Sequence, residues 1–373
     1  MHTGPIVKIG RYEVKDKIAA GGMATVYRAV QTGIGGFKSL VALKILHPHL
    51  AKDPQFKKMF LEEARIGALL SHRCLLSILD YGEEEGVSYL VTEYFPSLTL
   101  EELVLKAKRL PLHEGLYLLA EAAEGLHALH EAKDMEGKRL GLVHRDVSPQ
   151  NILVHGDGRV KLIDFGIVKK EDPTERTVPG VVKGKVRYMS PEQASGKRVD
   201  LRSDIYALGI VFLRLVTGVK PHGSGDTGEI MARARAGVEV EPMLKRLRLP
   251  EAGVELISRM VATRAEDRPP DALTVARSAR EILLSMVSSY DPHSFSMYLE
   301  GLSKEGTRKG RNPAKEPEEA RPDQPRGKKP PSPNTTIAQS GSAGQAGIHP
   351  KWLFLGLLSL FGAALLAWAI GKL

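Results

Sequence analysis

The sequence predicts an α+β fold of two lobes, a small β-rich N-lobe followed by a larger helical C-lobe, with a disordered linker and one transmembrane helix behind them. Three observations carry this. Short strand-like runs separated by Gly-rich breaks fill the opening of the chain. Beyond Glu114 the apolar residues recur at helical spacing. Near residue 303 the composition changes abruptly to Pro, Gly, Ser, Lys and Arg, with almost no large apolar side chains.

The first strands read as Tyr12 to Ile18, Thr25 to Val30 and Leu40 to Leu46. In the last of these, alternation puts Val41, Leu43 and Ile45 on one face and Ala42, Lys44 and Leu46 on the other. A helix follows, with Asp53 as N-cap and Pro54 at the first helical position. Its residues Phe56, Phe60, Glu63, Gly67 and Leu70 share one face, whereas Glu62 is rotated away. A lysine between two inward apolar residues needs an anion, and a glutamate on an apolar face needs a cation. Taken alone, Lys44 reads as an edge-strand lysine in solvent. Taken with Glu63 it becomes half of a candidate buried pair. The boundaries follow: a two-lobed domain over 11–285, a helical extension over 286–302, a basic Pro-rich linker over 303–350 and a transmembrane helix over 352–370.

The 373 residues are 42% hydrophobic and 26% charged, enough for a core of ordinary size. Much of the net charge of +9 comes from the linker, through residues such as Arg308, Lys309, Arg326 and Lys328, so the folded part is not marked as a nucleic-acid binder. Glu316, Glu318, Glu319 and Asp323 interrupt that basic run, which favours a solvated tether over a lipid-binding patch. The single cysteine, Cys74, excludes an intramolecular disulfide and a Cys-rich zinc site and suits a reducing compartment. Met1 to Gly10 lacks the apolar core of a secretory signal. Trp352 to Ile370 is an uncharged run of 19 residues flanked by Lys351 and Lys372. As a helix it measures about 28 Å against a hydrocarbon core of about 30 Å. Trp352 and Trp368 sit where aromatic rings prefer the interface.

The chemistry-bearing residues cluster in the middle of the chain. His144-Arg145-Asp146 is followed five residues after the Asp by Asn151, and then by Asp164-Phe165-Gly166. One carboxylate to accept a hydroxyl proton, and an amide oxygen with a second carboxylate to hold magnesium, is the set that phosphoryl transfer needs. Asp146 is the candidate base, and Asn151 and Asp164 are the candidate metal ligands.

These stretches resemble the protein kinases, in particular the eukaryotic-like Ser/Thr kinases of bacteria. Gly21-Gly22-Met23, Val41-Ala42-Leu43-Lys44, His144-Arg145-Asp146, Asp164-Phe165-Gly166, Ser190-Pro191-Glu192-Gln193 and Ser203-Asp204-Ile205-Tyr206 stand in family order, and Arg268 closes the set. The resemblance covers roughly Arg11 to Leu284 and implies transfer of the γ-phosphoryl of ATP to Ser or Thr hydroxyls of proteins. It implies ATP and Mg2+ as cofactors, with Mn2+ as a substitute. It makes Lys44 and Glu63 the phosphate clamp. Ile18, Gly21, Gly22, Val26 and Ala42 become nucleotide-covering residues, Glu93 and Phe95 the hinge that meets adenine through backbone groups, and Thr92 a short gatekeeper. It also implies that Arg268 pairs with Glu192 and that Asp204 braces the catalytic loop. The partners implied are protein substrates, membrane lipid around the terminal helix and, for autophosphorylation, a second copy of the chain. No nucleic acid is expected. The implied location is the inner membrane of the cell, single-pass, with the kinase lobes in the cytoplasm.

Departures from the family pattern are equally plain. Of the three glycine positions in the nucleotide-covering loop, Ala19 and Ala24 replace two, which stiffens it. Ser148 stands where Ser/Thr kinases carry a lysine two residues after the base, and Lys185 stands where they carry a threonine. One lysine lost and one gained suggests an exchange in which Lys185 supplies the missing cation; the alternative is a basic docking loop. Pro149 keeps the Ser/Thr rather than the Tyr-kinase pattern. Thr174 and Thr177 are candidate phosphosites. The rival reading of the whole chain is a pseudokinase scaffold that binds ATP or partners without transferring phosphate.

Overall fold

In the computed structural model, which describes residues 8–165 and 185–309, the opening strands pair into one antiparallel sheet. Its strands are β1 (Lys8–Ile9), β2 (Tyr12–Ala20), β3 (Ala24–Thr32) and β4 (Lys38–Leu46), then, after helix α1 (Pro54–Leu69), β5 (Ile78–Glu84) and β6 (Val87–Glu93). The spatial order is β1-β2-β3-β4-β6-β5. The three strands read from sequence run one or two residues longer at most ends, because each continues to pair with its neighbour. Alternation sorts the faces. Tyr12, Ala29, Val41, Leu43, Tyr89 and Val91 pack together on one side. Leu46 and Leu90 on the other side meet Phe60 and Ala64 of α1.

Helix α1 begins where its cap dictates. The Asp53 carboxylate accepts from Gln55 N at 2.8 Å, and Pro54 occupies the first turn. Phe60, Glu63, Ala64 and Gly67 form its buried stripe. Gly67 is required by proximity: an added Cβ would overlap the Ile78 side chain of β5. The helix therefore lies close against the sheet and brings Glu63 under β4.

A second sheet begins the C-lobe: β7 (Ser97–Thr99) pairs with β8 (Ile152–His155), which pairs with β9 (Val160–Leu162). Helices α2 (Leu100–Ala107) and α3 (Leu112–His130) come between β7 and β8 in the chain. After β9 come α4 (Pro191–Ala194), α5 (Arg202–Thr217), α6 (Thr227–Ala236), α7 (Glu241–Leu244), α8 (Glu251–Met260) and α9 (Ala272–Met286). Ser203 to Val216 of α5 are all buried, as expected of a helix apolar on every side at the centre of a bundle. Leu116, Leu126, Phe212, Ile257 and Val275 belong to its core.

The last described helix, α10 (Pro292–Lys309), extends past residue 303, where the polar linker was expected to begin. Local pairs carry the helix on: Lys304 lies one turn after Glu300, at 3.6 Å, and Ser303 Oγ donates to Leu299 O. The composition shift at 303 thus does not mark the end of the helix. Phe295 is fully buried against Tyr117, with ring centroids 5.2 Å apart. Ser296 Oγ donates to Gly156 O at 2.8 Å, and Tyr117 Oη donates to Gly158 O at 2.9 Å. Helix α10 is thereby fastened to the β8–β9 turn. Gly158 sits at φ +89°, and a Cβ there would overlap the Pro292 carbonyl. Residues 310–350 of the proposed linker and the apolar run 352–370 lie outside the described residues. Among the described residues no helix is long and apolar enough to cross a membrane.

Candidate active site

Lys44 is set by strand register. It lies opposite Val26 of β3 and Leu90 of β6, while Ala42 lies opposite Thr92, so Val26, Ala42, Lys44 and Thr92 share one face. Lys44 Nζ is 2.7 Å from Glu63 Oε1 and 2.7 Å from Asp164 Oδ1. Burial alone would lower the ammonium pKa, but the Asp164 and Glu63 carboxylates outweigh it and hold Lys44 above the ordinary lysine range. Glu63 is nearly enclosed, with 11% of its side chain exposed, whereas Asp164 keeps 47%. One acid therefore serves as a fixed partner, and the other faces the cleft.

The catalytic loop is held by buried hydrogen bonds. Asp204, 1% exposed, accepts from His144 N at 2.7 Å, from Arg145 N at 2.8 Å and lies 2.8 Å from His130 Nε2. His144 stacks edge-on against Phe165, whose ring is buried. Arg145 and Asp164 are non-glycine residues in the left-handed region, at φ 62° and 52°. Such conformations cost about 1–3 kcal/mol and persist only where their surroundings over-determine them. Asn151 Nδ2 donates to Asp146 O at 2.8 Å and to Asp146 Oδ2 at 2.7 Å. Both amide hydrogens are thereby used, so Oδ1 is the atom Asn151 has to offer a cation. Asn151 and Asp164 stand at the two bases of the β8–β9 hairpin, and the Ile163 N to Asn151 O bond of 3.0 Å closes it.

Toward the hinge, Thr92 is buried and its hydroxyl donates to Glu93 O at 3.2 Å. The Glu93 carboxylate accepts from Ser77 N at 2.8 Å and Lys161 Nζ at 2.7 Å. These bonds overcome burial and hold it below the usual carboxylate range. Phe95 is buried under His155 and Lys161, so its ring points away from the cleft, and its carbonyl accepts from Ser97 Oγ. At the nucleotide-covering turn, Gly21 N donates to Ala24 O at 2.9 Å, Gly22 has no neighbour where a Cβ would stand, and Ile18 is 48% exposed. Ala19 pairs with Val26 and Ala24 with Leu46, so the two alanines that replace loop glycines are accommodated in strand geometry.

Arg268 and Glu192 form a bidentate pair of 2.6 and 2.8 Å, with none of the Arg268 side chain exposed. Residues 12–282 match the family model described as Protein kinase domain. The chain belongs to the protein kinase family. Among curated kinases it is 37% identical over 296 residues to the Tyrosine-protein kinase MasK of Myxococcus xanthus, covering 78% of this chain and 46% of that protein. It is 36% identical over 273 residues to the Serine/threonine-protein kinase PknL of Mycobacterium tuberculosis, covering 73% of this chain and 65% of that protein. The chain thus spans roughly half to two thirds of the length of the curated relatives it matches. Among solved structures, the PknI kinase domain of Mycobacterium tuberculosis is similar with a TM-score of 0.56 and 26% identity, over 76% of this chain and 100% of that domain. The protein kinase family in general uses ATP and Mg2+.

The oxygen donors suit that cofactor pair. An amide oxygen and an exposed carboxylate are hard ligands, and Mg2+ completes its shell with water and phosphate. Among the described residues no group of three or more His, Cys, Asp or Glu side chains is placed to hold a metal. Ser148 is 2% exposed, and its hydroxyl has no hydrogen-bond partner among the described residues. Gly166, Thr174, Thr177 and the Lys185 side chain lie outside the described residues. The backbone of Lys185 opens a single 3-10 turn, Lys185–Tyr188.

Two contributors escaped the sequence reading. Lys161 stands in a strand between buried Val160 and Leu162, the same signal that singled out Lys44, and it is 6% exposed. His130, at the end of α3, gave no local signal, because its partner Asp204 is 74 residues away.

Proposed function

We propose that this chain is an ATP- and Mg2+-dependent protein kinase that phosphorylates Ser and Thr hydroxyls of proteins, itself included. The observation that carries the reading is the convergence of Lys44 on Glu63 and Asp164 beside an Asp146 carboxylate steadied by Asn151. Lys44, kept charged, neutralises phosphate oxygens, and Glu63 keeps it in place. Asp146 accepts the proton of the incoming hydroxyl. Backbone groups of Glu93 and Phe95 receive the adenine, under a roof that includes Ile18, Gly21, Gly22, Val26 and Ala42. Asn151 Oδ1 and Asp164 hold Mg2+, which when bound neutralises charge on the phosphates. A scaffold without activity is disfavoured, because every charged role is filled except the lysine position at Ser148.

For that position we assign Lys185 as the replacement. The Ser148 hydroxyl, which has no hydrogen-bond partner among the described residues, supports this reading. Wild-type transfer by Lys185→Ala would remove the assignment. The MasK relative is named a tyrosine kinase, so tyrosine is the second reading of acceptor specificity; Pro149 and the PknL relative favour Ser and Thr. Incubation with labelled ATP and Mg2+ tests both points. Asp146→Asn is expected to lower transfer by about 10²–10⁴-fold, and acid hydrolysis is expected to release phosphoserine and phosphothreonine. Label equal to that in Asp146→Asn overturns the kinase reading, and phosphotyrosine alone overturns the specificity.

The proposal includes a membrane tether through 352–370, supported by the length of that run and its terminal tryptophans. It places the kinase lobes on the cytoplasmic face, with substrates and a second copy for autophosphorylation as partners. Recovery of the full chain in the soluble fraction without detergent overturns the tether.

A further inference from the structure

Gln193 is not among the residues to which the family motifs give a chemical role, yet it reaches the residue before the candidate base. It is the third residue of α4, and with Ser190 it forms a reciprocal cap. Gln193 N donates to Ser190 Oγ at 3.3 Å, and Gln193 Oε1 accepts from Ser190 N at 3.0 Å. That arrangement occupies the oxygen of the amide. Its nitrogen, Nε2, donates to Arg145 O at 3.0 Å. Arg145 N is held from the other side by Asp204 Oδ1 at 2.8 Å.

Both polar backbone groups of Arg145 are therefore occupied by side chains from two different helices, α4 and α5. Arg145 is a non-glycine residue at φ 62°, a conformation that needs external support. The peptide whose carbonyl Gln193 holds joins Arg145 to Asp146. Rotation of that peptide would swing the start of Asp146, and with it the carboxylate that Asn151 engages.

We infer that Gln193 is a positioning residue for Asp146, acting through the Arg145 carbonyl, and that it couples the seating of α4 to the placement of the base. The inference rests on the kinase reading above. It explains why an amide rather than a carboxylate serves here. Glutamate would complete the cap equally well, but only an amide can also donate to a carbonyl.

That distinction supplies the test. Gln193→Glu keeps the cap acceptor and removes the donor; Ser190→Ala breaks the cap and keeps the donor; Gln193→Leu removes both. Steady-state kinetics are measured on the full chain with ATP, Mg2+ and dephosphorylated casein, alongside thermal unfolding and binding of a fluorescent ATP analogue. For Gln193→Glu, kcat is expected to fall about tenfold, with KM for ATP, analogue affinity and Tm near wild type. Gln193→Leu shows the same kcat loss with a lower Tm. Ser190→Ala shows a lower Tm with kcat near wild type. Wild-type kcat in Gln193→Glu overturns the inference, and so does a kcat loss in Ser190→Ala as large as in Gln193→Glu. A Gln193→Glu loss that appears as weaker analogue binding also overturns it. If the wild type transfers no more phosphate than Asp146→Asn, the kinase reading itself falls and takes this inference with it; the wild-type rate therefore separates the two failures.

Discussion

Replacing Arg268 by leucine tests how much of the C-lobe hangs on one guanidinium. Its side chain is wholly enclosed. It binds both Glu192 oxygens at 2.6 and 2.8 Å and donates to the carbonyls of Ala262, Thr263 and Arg202 at 2.8, 3.1 and 3.0 Å. It also lies 4.9 Å from the centre of the Tyr206 ring. Leucine leaves the Glu192 carboxylate with only 13% of its side chain exposed and no cation. Breaking a buried pair from one side costs about 3–5 kcal/mol. The three carbonyls add to this, but they are partly satisfied by relaxation, so about 4 kcal/mol is expected. For a folded unit of this size that corresponds to a fall of about 7 °C in Tm. Arg268→Lys keeps the charge but not the fork, and is expected to fall between wild type and leucine.

The pH dependence sharpens the test. In the wild type burial raises the Glu192 pKa, but the Arg268 and Ser203 contacts outweigh it and hold it below the usual range. Its contribution to stability is thus present above the unfolded carboxylate pKa of about 4.3 and is lost as pH falls through the lower folded value. In Arg268→Leu the Ser203 contact remains but both Arg268 contributions are gone, so burial, the largest influence, prevails and the mutant gains stability on protonation. The difference between the two proteins should therefore shrink from pH 7 to pH 4. Urea unfolding followed by circular dichroism at the two pH values measures it. A deficit under about 1 kcal/mol at pH 7, or one that grows on acidification, refutes the reasoning.

Glu63→Gln leaves Lys44 with Asp164 alone and is expected to lower kcat/KM for ATP about tenfold, from loss of a charge-assisted bond; unchanged steady-state kinetics would show that the pair is dispensable. Thr92→Met fills the space beside Ala42, so inhibitors with a bulky group directed there should lose about tenfold in potency, and equal inhibition curves count against an open back pocket. Phe295→Ala removes a ring that is 0% exposed and should cost about 3–5 kcal/mol in chemical denaturation; a loss below 1 kcal/mol would mean that α10 contributes little to the fold.

Much of the architecture was legible because its signals are local. Period-2 alternation sorted the two faces of β4, and a capped period-3.6 stripe put Glu63 on the side of α1 that meets the sheet. The spacing of Asp146, Asn151 and Asp164 survives folding because the last two flank a short hairpin. What escaped is non-local. The bonds from Asp204 to the catalytic loop cross 59 and 60 residues and were reached only through the family resemblance, and that from Lys161 to Glu93, across 68, was not reached at all. The end of the C-terminal helix was misjudged for another reason: polar residues continue a helix once its first turns are buried, and composition reports burial, not hydrogen bonding.

The span recognisable as a kinase stops at residue 282, but the folded unit does not. Helix α10 contributes Phe295 to the same core as Tyr117, and its Ser296 holds Gly156 in the turn between the two candidate metal ligands, where Tyr117 of α3 holds Gly158. A fragment cut at the family boundary would uncover aromatic surface beneath that turn and remove the Ser296 bond to it, while keeping the Tyr117 bond to the hairpin tip that spaces Asn151 from Asp164. Comparisons of catalytic rate between this protein and other kinases trimmed to the shared span would then measure the missing helix as much as the chemistry. For truncations and chimeras, the junction belongs after Lys309.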